Sequence, residues 1–180
     1  MNNYRIVKIS KYLSKHLRHQ PDRLGIKLAL GGWVAVDELL SACAKSYFPI
    51  SRNELNEVVE KNDKKRFYFD STGTLIRANQ GHSVEVDLQL ESAVPPDVLY
   101  HGTGHAAVKL IMQHGLNKMS RHHVHLSQNI ETAIKVGSRH GKPVVFVVDA
   151  AMYSSGYTFY CSDNGVWLVD CVPPEYLQKR

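Results

Sequence analysis

The chain has 180 residues, 43% of them apolar and 22% charged, and a formal net charge of +5. This length and composition support one domain or two small ones with a packed core, and they exclude a disordered or low-complexity chain. No apolar run approaches the ~20 residues that a bilayer span needs. No apolar signal-peptide core follows the opening Met-Asn-Asn-Tyr-Arg, so a soluble, unexported, cytoplasmic protein is expected. Three cysteines, Cys43, Cys161 and Cys171, lie far apart without a Cys-x-x-Cys pair. They suggest neither a disulfide framework nor a thiolate zinc site, and they suit a reducing compartment.

The positive charge is concentrated in the first half. Residues 1–90 carry 14 Lys and Arg against 10 Asp and Glu, whereas residues 91–180 carry 8 against 7. Within residues 1–27 stand Arg5, Lys8, Lys11, Lys15, Arg18, Arg23 and Lys27, opposed by Asp22 alone. Such a run is a footprint for a polyanion, although many solvated helix faces share it.

In chain order, Ile6, Ile9, Leu13 and Leu17 recur at helical spacing while Lys8, Lys11, Lys15 and Arg18 share another face, which predicts an amphipathic helix ending before Pro21. Leu24 to Leu28 reads as a short strand and Asp37 to Ala44 as a second helix. Ser51-Arg-Asn-Glu54 is a capping box, placing a third helix through Val58 and Val59. Phe67-Tyr-Phe and Thr74-Leu-Ile-Arg flank Asp70-Ser-Thr-Gly73, the composition of a hairpin. Helix, strand, two helices and a hairpin is a winged-helix order. The adjacent prolines in Glu91-Ser-Ala-Val-Pro-Pro-Asp97 mark a linker, so the expected domains are 1–92 and 93–180.

Beyond the linker five segments are β-rich: Val98-Leu-Tyr-His, Val124-His-Leu-Ser, Val144-Val-Phe-Val-Val, Thr158-Phe-Tyr-Cys and Val166-Trp-Leu-Val. Helices are expected at about 105–114 and 130–140, followed by Gly115 and Gly141. A mixed sheet with short helices follows, and the fold class for the whole chain is α+β.

A Rossmann fingerprint, a P-loop and a Gly-x-Ser-x-Gly elbow are all missing from the sequence. Short Arg- and His-rich clusters stand out instead. Leu17-Arg18-His19-Gln20-Pro21 sets a permanent cation beside a titratable imidazole; the pair suits phosphate recognition and proton transfer, and equally a solvated helix end. Asp63-Lys-Lys-Arg66-Phe67 and Ile76-Arg77-Ala-Asn-Gln80-Gly81-His82-Ser83 border the hairpin, where an ordinary exposed wing would also fit. Tyr100-His101-Gly102-Thr103 ends one strand and Arg121-His122-His123-Val124-His125-Leu126-Ser127 enters another. His123 and His125 fall on one strand face and His122 on the other, and no carboxylate or cysteine completes a ligand set, so no metal is expected. Asp163-Asn164-Gly165-Val166-Trp167 is a tight turn running into a strand.

Taken together, Leu-Arg18-His19-x-Pro, Lys-Arg66-Phe, Ile-Arg77-Ala-Asn-Gln-Gly-His82-Ser, His101-Gly-Thr103, Arg121-x-His123-Val-His125-Leu-Ser127, Arg139-His-Gly-Lys142-Pro and Asn164-Gly-Val-Trp resemble the RNA 2′-phosphotransferase family through nearly the whole chain. The resemblance implies a winged-helix lobe for RNA followed by a lobe of ADP-ribosyltransferase fold that holds NAD as a consumed co-substrate. It further implies attack of an internal RNA 2′-phosphate on the nicotinamide ribose, giving an RNA-2′-phospho-ADP-ribose intermediate, then 2′-hydroxyl RNA, ADP-ribose 1″,2″-cyclic phosphate and nicotinamide.

By the same resemblance Arg18, His19, Arg66 and Arg121 are the catalytic residues about the phosphate, His19 moving a proton and the arginines holding charge. His101, His125 and Val166 occupy the three positions of a His-His-hydrophobic ADP-ribosyltransferase motif. With Gly102, Thr103, Ser127, Asn164 and Gly165 they are the expected NAD contacts. Lys15, Arg77, Gln80, His82 and Arg139 are the expected contacts to RNA and its phosphates. A hydrophobic residue at the third motif position, where many protein-modifying relatives carry glutamate, favours a phosphate acceptor. A monomeric enzyme acting on a tRNA-like RNA is expected, without a membrane partner. Two other readings share parts of the pattern: an ADP-ribosyltransferase that caps nucleic-acid phosphates or modifies protein, and a winged-helix nucleic-acid-binding protein without catalysis.

Overall fold

A computed structural model describes residues 2–61 and 64–180; Asp63, the first residue of one hairpin motif, lies outside the described residues. The chain divides into two compact units, 1–89 and 90–180.

In the first unit helix α1 spans Asn3–His19, opened by the Asn2 side chain accepting from the Arg5 N–H and ended at Gln20 ahead of Pro21. Its apolar stripe of Ile9, Leu13 and Leu17 is fully buried. Strand β1 (Val34–Ala35) leads into α2 (Val36–Lys45), which buries Val36, Leu39, Ala42 and Cys43. Helix α3 (Arg52–Lys61) starts with the expected capping box. The Ser51 Oγ accepts from the Glu54 N–H at 3.2 Å and Glu54 Oε2 from the Ser51 N–H at 2.9 Å. Glu54 also accepts from Arg5 Nε at 2.9 Å, tying α1 to α3 and holding the carboxyl below its usual range. Strands β2 (Phe67–Phe69) and β3 (Leu75–Ala78) form the hairpin, and β1 adds to the other edge of β3, all antiparallel.

The segment 24–28 is not a strand. Pro21–Leu24 forms a 3₁₀ turn closed by the Gly25 N–H on the Asp22 carbonyl at 2.9 Å, and the chain then runs on outside any ladder. Leu24 and Ile26 are buried nonetheless, so the segment packs on the core without being a strand. A strand also needs a ladder partner, and this segment pairs with no strand of the β1-β3-β2 sheet.

The second unit contains β4 (Val98–Gly104), α4 (Val108–His114), β5 (Leu116–Asn117), β6 (Val124–Leu126), α5 (Ile130–Gly137), β7 (Pro143–Asp149), β8 (Phe159–Cys161), β9 (Trp167–Val169), β10 (Cys171–Val172) and β11 (Leu177–Lys179). Short 3₁₀ turns, His105–Ala107 before α4 and Ser138–His140 after α5, complete the two expected helical stretches. The expected mixed sheet is replaced, among the described residues, by three antiparallel sheets ordered β11-β7-β4, β6-β9-β8 and β10-β5. Strand direction depends on how each connection returns, which strand composition does not encode. The class is α+β. The core gathers Leu99, Phe146, Val148, Met152, Phe159 and Val172.

Two features position the site. The two three-stranded sheets are bridged at Tyr100 and Ser127, whose backbone groups exchange hydrogen bonds of 2.8 and 2.9 Å and so link β4 to β6. Helix α5 lies directly on β4 at Gly102: a Cβ there would stand 1.7 Å from the Ala133 carbonyl oxygen.

Candidate active site

In the first unit Arg18, His19 and Arg66 converge. Arg18 and His19 end α1, and Arg66 immediately precedes β2. Arg18 Nη2 donates to the Arg66 carbonyl at a long 3.5 Å, and Arg66 Nη1 donates to Ser10 Oγ, a buried hydroxyl on α1, at 3.0 Å. His19 is exposed and shares a 2.8 Å hydrogen bond between its Nδ1 and Ser83 Oγ, while the Ser83 N–H donates to the Arg18 carbonyl at 2.9 Å. Gly81, at φ +86°, lets the chain turn beside the Arg18 guanidinium, where a Cβ would sit 3.7 Å from Nη1. Arg18 and His19 thus stand at the end of α1 and the Arg66 guanidinium at Ser10, about two turns back along the same helix; guanidinium groups and an imidazole of this kind suit an anionic oxygen cluster with an exchangeable proton.

In the second unit His101 lies on β4 and His125 on β6. His101 Nδ1 is 3.0 Å from the His125 carbonyl. A carbonyl only accepts, so Nδ1 carries the proton and the neutral ring presents Nε2 as an acceptor. Arg121 Nη1 lies 3.0 Å from His125 Nδ1. A guanidinium only donates, so the neutral His125 carries its proton on Nε2. The two imidazoles therefore offer opposite polarities, one acceptor and one donor. Ser127 follows at the β4–β6 bridge; its Oγ accepts from the Asn129 N–H at 3.1 Å, and Asn129 in turn caps α5. Thr103 is buried farther along β4.

The turn of Asn164, Gly165 and Val166 joins β8 to β9 and is held by Ser162. The buried Ser162 Oγ donates to Asn164 Oδ1 at 2.8 Å and accepts from the Val166 N–H at 3.2 Å. Register places Trp167, next to Val166, opposite Leu126, next to His125.

The remaining expected contacts are less clustered. Lys15 is exposed on α1, Gln80 is half-buried, and Arg139 is exposed after α5. Arg77 lays its guanidinium 4.6 Å from the Trp33 ring centroid and donates to the Gly31 carbonyl at 3.4 Å. His82 is fully buried, near Gly32. Among the described residues no group of three or more His, Cys, Asp or Glu is placed to hold a metal, and no helix is long and apolar enough to cross a membrane.

A family model described as RNA 2′-phosphotransferase, Tpt1 / KptA family, matches residues 4–171. The chain belongs to this family. It is 74% identical over 180 residues to a "Probable RNA 2'-phosphotransferase" of Nostoc punctiforme, covering 99% of each chain. It is 71% identical to the protein of the same name from Trichormus variabilis, covering 98% of each, and 49% identical to that of Flavobacterium johnsoniae, covering 100% of each.

Four supporting residues of this family member escape sequence reasoning: Ser10, Asn79, Ser83 and Ser162. Asn79 donates its side-chain amide to the Lys65 carbonyl at 2.6 Å and its backbone N–H to the Arg66 carbonyl at 2.9 Å, fixing the strand entry that carries Arg66. The sequence signal for Asn79 and Ser83 is their place in the stretch around Gln80-Gly81-His82; Ser10 and Ser162 have no local signal.

Burial holds the imidazoles of His16, His101 and His123 below the usual histidine range. For His101 donation to the His125 carbonyl opposes this shift, and the charges of Arg121 and His140 add to it. Unfolded, each titrates near about 6.5. Between that value and the lowered one the unfolded chain binds more protons, so stability rises with pH there and falls as pH drops through it. The urea midpoint should therefore decline from about pH 7 to about pH 5, above the carboxylate range. A midpoint that holds or rises on acidification would contradict this.

Proposed function

We propose that the chain is an NAD-dependent RNA 2′-phosphotransferase that moves an internal RNA 2′-phosphate to ADP-ribose, giving 2′-hydroxyl RNA, ADP-ribose 1″,2″-cyclic phosphate and nicotinamide. In this reading residues 1–92 are a winged-helix RNA lobe and residues 93–180 an ADP-ribosyltransferase-like NAD lobe, in a monomeric cytoplasmic enzyme. The observation that carries it is the gathering of Arg18, His19 and Arg66 on α1, where Arg66 is bonded to Ser10 in mid-helix from 56 positions away, Arg18 to the Arg66 carbonyl, and His19, at the helix end, to Ser83 from 64.

The chemistry asks for what these residues offer. A phosphate dianion and the more crowded state derived from it need fixed positive charge, and guanidinium groups supply it with directional donors at any working pH. Arg18 and Arg66 hold the phosphate; Arg121 is assigned the same duty. His19, exposed and oriented by Ser83, carries a proton between the ribose hydroxyl and the leaving RNA oxygen.

The residues of the second unit fit NAD by their polarity. His101 Nε2 accepts and His125 Nε2 donates, a pairing suited to ribose hydroxyls and a carboxamide, beside the turn of Asn164, Gly165 and Val166. When bound, NAD supplies an electrophilic ribose carbon and a stable leaving group. Burial keeps His101 neutral, so it adds no positive charge beside the cationic nicotinamide ring. Gly102, Thr103 and Ser127 frame the same strands, and Lys15, Arg77, Gln80, His82 and Arg139 are assigned to RNA and its phosphates.

Nicotinamide release tests this reading when measured with an RNA bearing one internal 2′-phosphate and with the same RNA lacking it. Release confined to the phosphorylated RNA is expected. Release from NAD whether or not the phosphate is present would favour a simple ADP-ribosyltransferase, and no release from folded protein would leave a binding protein.

A further inference from the structure

One surface of the first unit is larger than a single phosphate requires. At 100° per residue Tyr4, Lys8, Lys11, Lys15, Arg18 and His19 fall within an arc of about 100° on α1. The opposite arc holds the buried Ile9, Leu13, His16 and Leu17. Lys8, Lys11, Lys15 and His19 are exposed, Tyr4 is 74% exposed, and the helix contains no acidic residue at all. Phe48 borders the arc: Lys8 Nζ lies 5.8 Å from its ring centroid, and Tyr12 stacks on it at 4.0 Å. The nearby acid Glu54 is engaged by Arg5 and by the Ser51 N–H, so it does not neutralise the stripe.

The stripe runs about 21 Å from Tyr4 to Arg18 at the rise of an α-helix. At about 3.4 Å per nucleotide that is the length of about six stacked nucleotides of one strand. It ends on the pair assigned above to the 2′-phosphate, which favours RNA over another polyanion.

We infer that this face of α1 is a track for the RNA strand on one side of the 2′-phosphate. Lys8 and Lys11 meet backbone phosphates, and the Tyr4 ring takes an unpaired base at the far end. The inference rests on the reading of the chain as an RNA 2′-phosphotransferase. It adds that the enzyme reads several nucleotides of flanking strand, on one side only.

The test uses the full chain carrying Tyr4→Ala, Lys8→Gln and Lys11→Gln together, with its melting curve compared with the parent's. All three side chains are exposed, so the fold is retained. Binding is read first, by fluorescence anisotropy of an unphosphorylated single-stranded 12-nucleotide RNA. The variant should bind on the order of 10-fold more weakly, with a salt slope shallower by about 1.4, which is two phosphate contacts on a single strand. Turnover is read on three 2′-phosphorylated substrates: a trinucleotide, and the same core extended on its 5′ side or its 3′ side. The KM should rise about 10-fold for one of the extended RNAs and stay at the parental value for the trinucleotide, with kcat unchanged throughout.

Unchanged RNA binding, or an equal rise in KM for the trinucleotide, would overturn the track. So would an equal loss of affinity for polyglutamate, which would make the face a general anion surface. If the parent protein turns over none of the substrates while RNA binding still depends on the three residues, the track stands and the catalytic reading falls.

Discussion

His19→Ala is expected to lower kcat on a 2′-phosphorylated RNA by about 10²- to 10⁴-fold, the usual contribution of a positioned general acid–base group. The side chain is exposed and bonded to Ser83. Its removal should accordingly move the unfolding free energy by less than about 1 kcal/mol. Catalysis and stability are separated by this substitution, which distinguishes a proton carrier from a helix-end residue that only complements the dipole. Steady-state turnover together with a urea melt reads both. Turnover at the parental rate in a folded variant would remove His19 from the mechanism, and a large loss of stability would mean that its place at the end of α1 is structural.

Gly102→Ala is expected to destabilise the second unit by several kcal/mol. The new Cβ would lie 1.7 Å from the Ala133 carbonyl oxygen and 2.5 Å from its carbon. Both atoms belong to the backbone of α5, so no side chain can swing aside, and the helix must lift from β4. Overpacking of this kind costs more than the 1–3 kcal/mol typical of an added methylene, because the obstacle is main chain. His101 neighbours Gly102 on β4, and Ser127 and α5 are tied together through Asn129, so the proposed NAD-dependent activity should fall with stability. Thermal unfolding checks it, and a melting temperature within about 2 °C of the parent would show that α5 yields easily. The glycine that the sequence offers as a ligand contact is thus first a packing residue, whatever it also touches.

The parts of the fold legible in the sequence are those fixed by local physics. Helix α1 declares itself because Ile9, Leu13 and Leu17 need burial while the lysines do not. Helix α3 declares itself through Ser51 and Glu54, which satisfy each other's amides. The hairpin is legible because Asp70 to Gly73 can only turn. What was not legible is decided at long range. Leu24 to Leu28 has strand-like burial but joins no ladder. Strands β5, β10 and β11 are two or three residues long and exist only through their partners. The antiparallel order of the second unit depends on loop paths.

The site divides in the same way. Arg18, His19, His101 and His125 stand out as clusters of unusual residue types. Ser10 and Ser162 are common residues in unremarkable contexts, and their importance arises from bonds that chain folding alone creates. Asn79 is intermediate: it sits in a recognisable stretch, yet its hold on Lys65 and Arg66 is visible only in three dimensions.

The central claim, that phosphate leaves RNA for a nucleotide acceptor, is tested most directly by following the phosphate itself. An RNA carrying a radiolabelled internal 2′-phosphate would be incubated with the protein, with and without NAD, and the labelled products separated. The label should move, only with NAD, into ADP-ribose 1″,2″-cyclic phosphate, leaving 2′-hydroxyl RNA. Label released as inorganic phosphate, or retained on an ADP-ribosylated RNA that accumulates, would contradict the account.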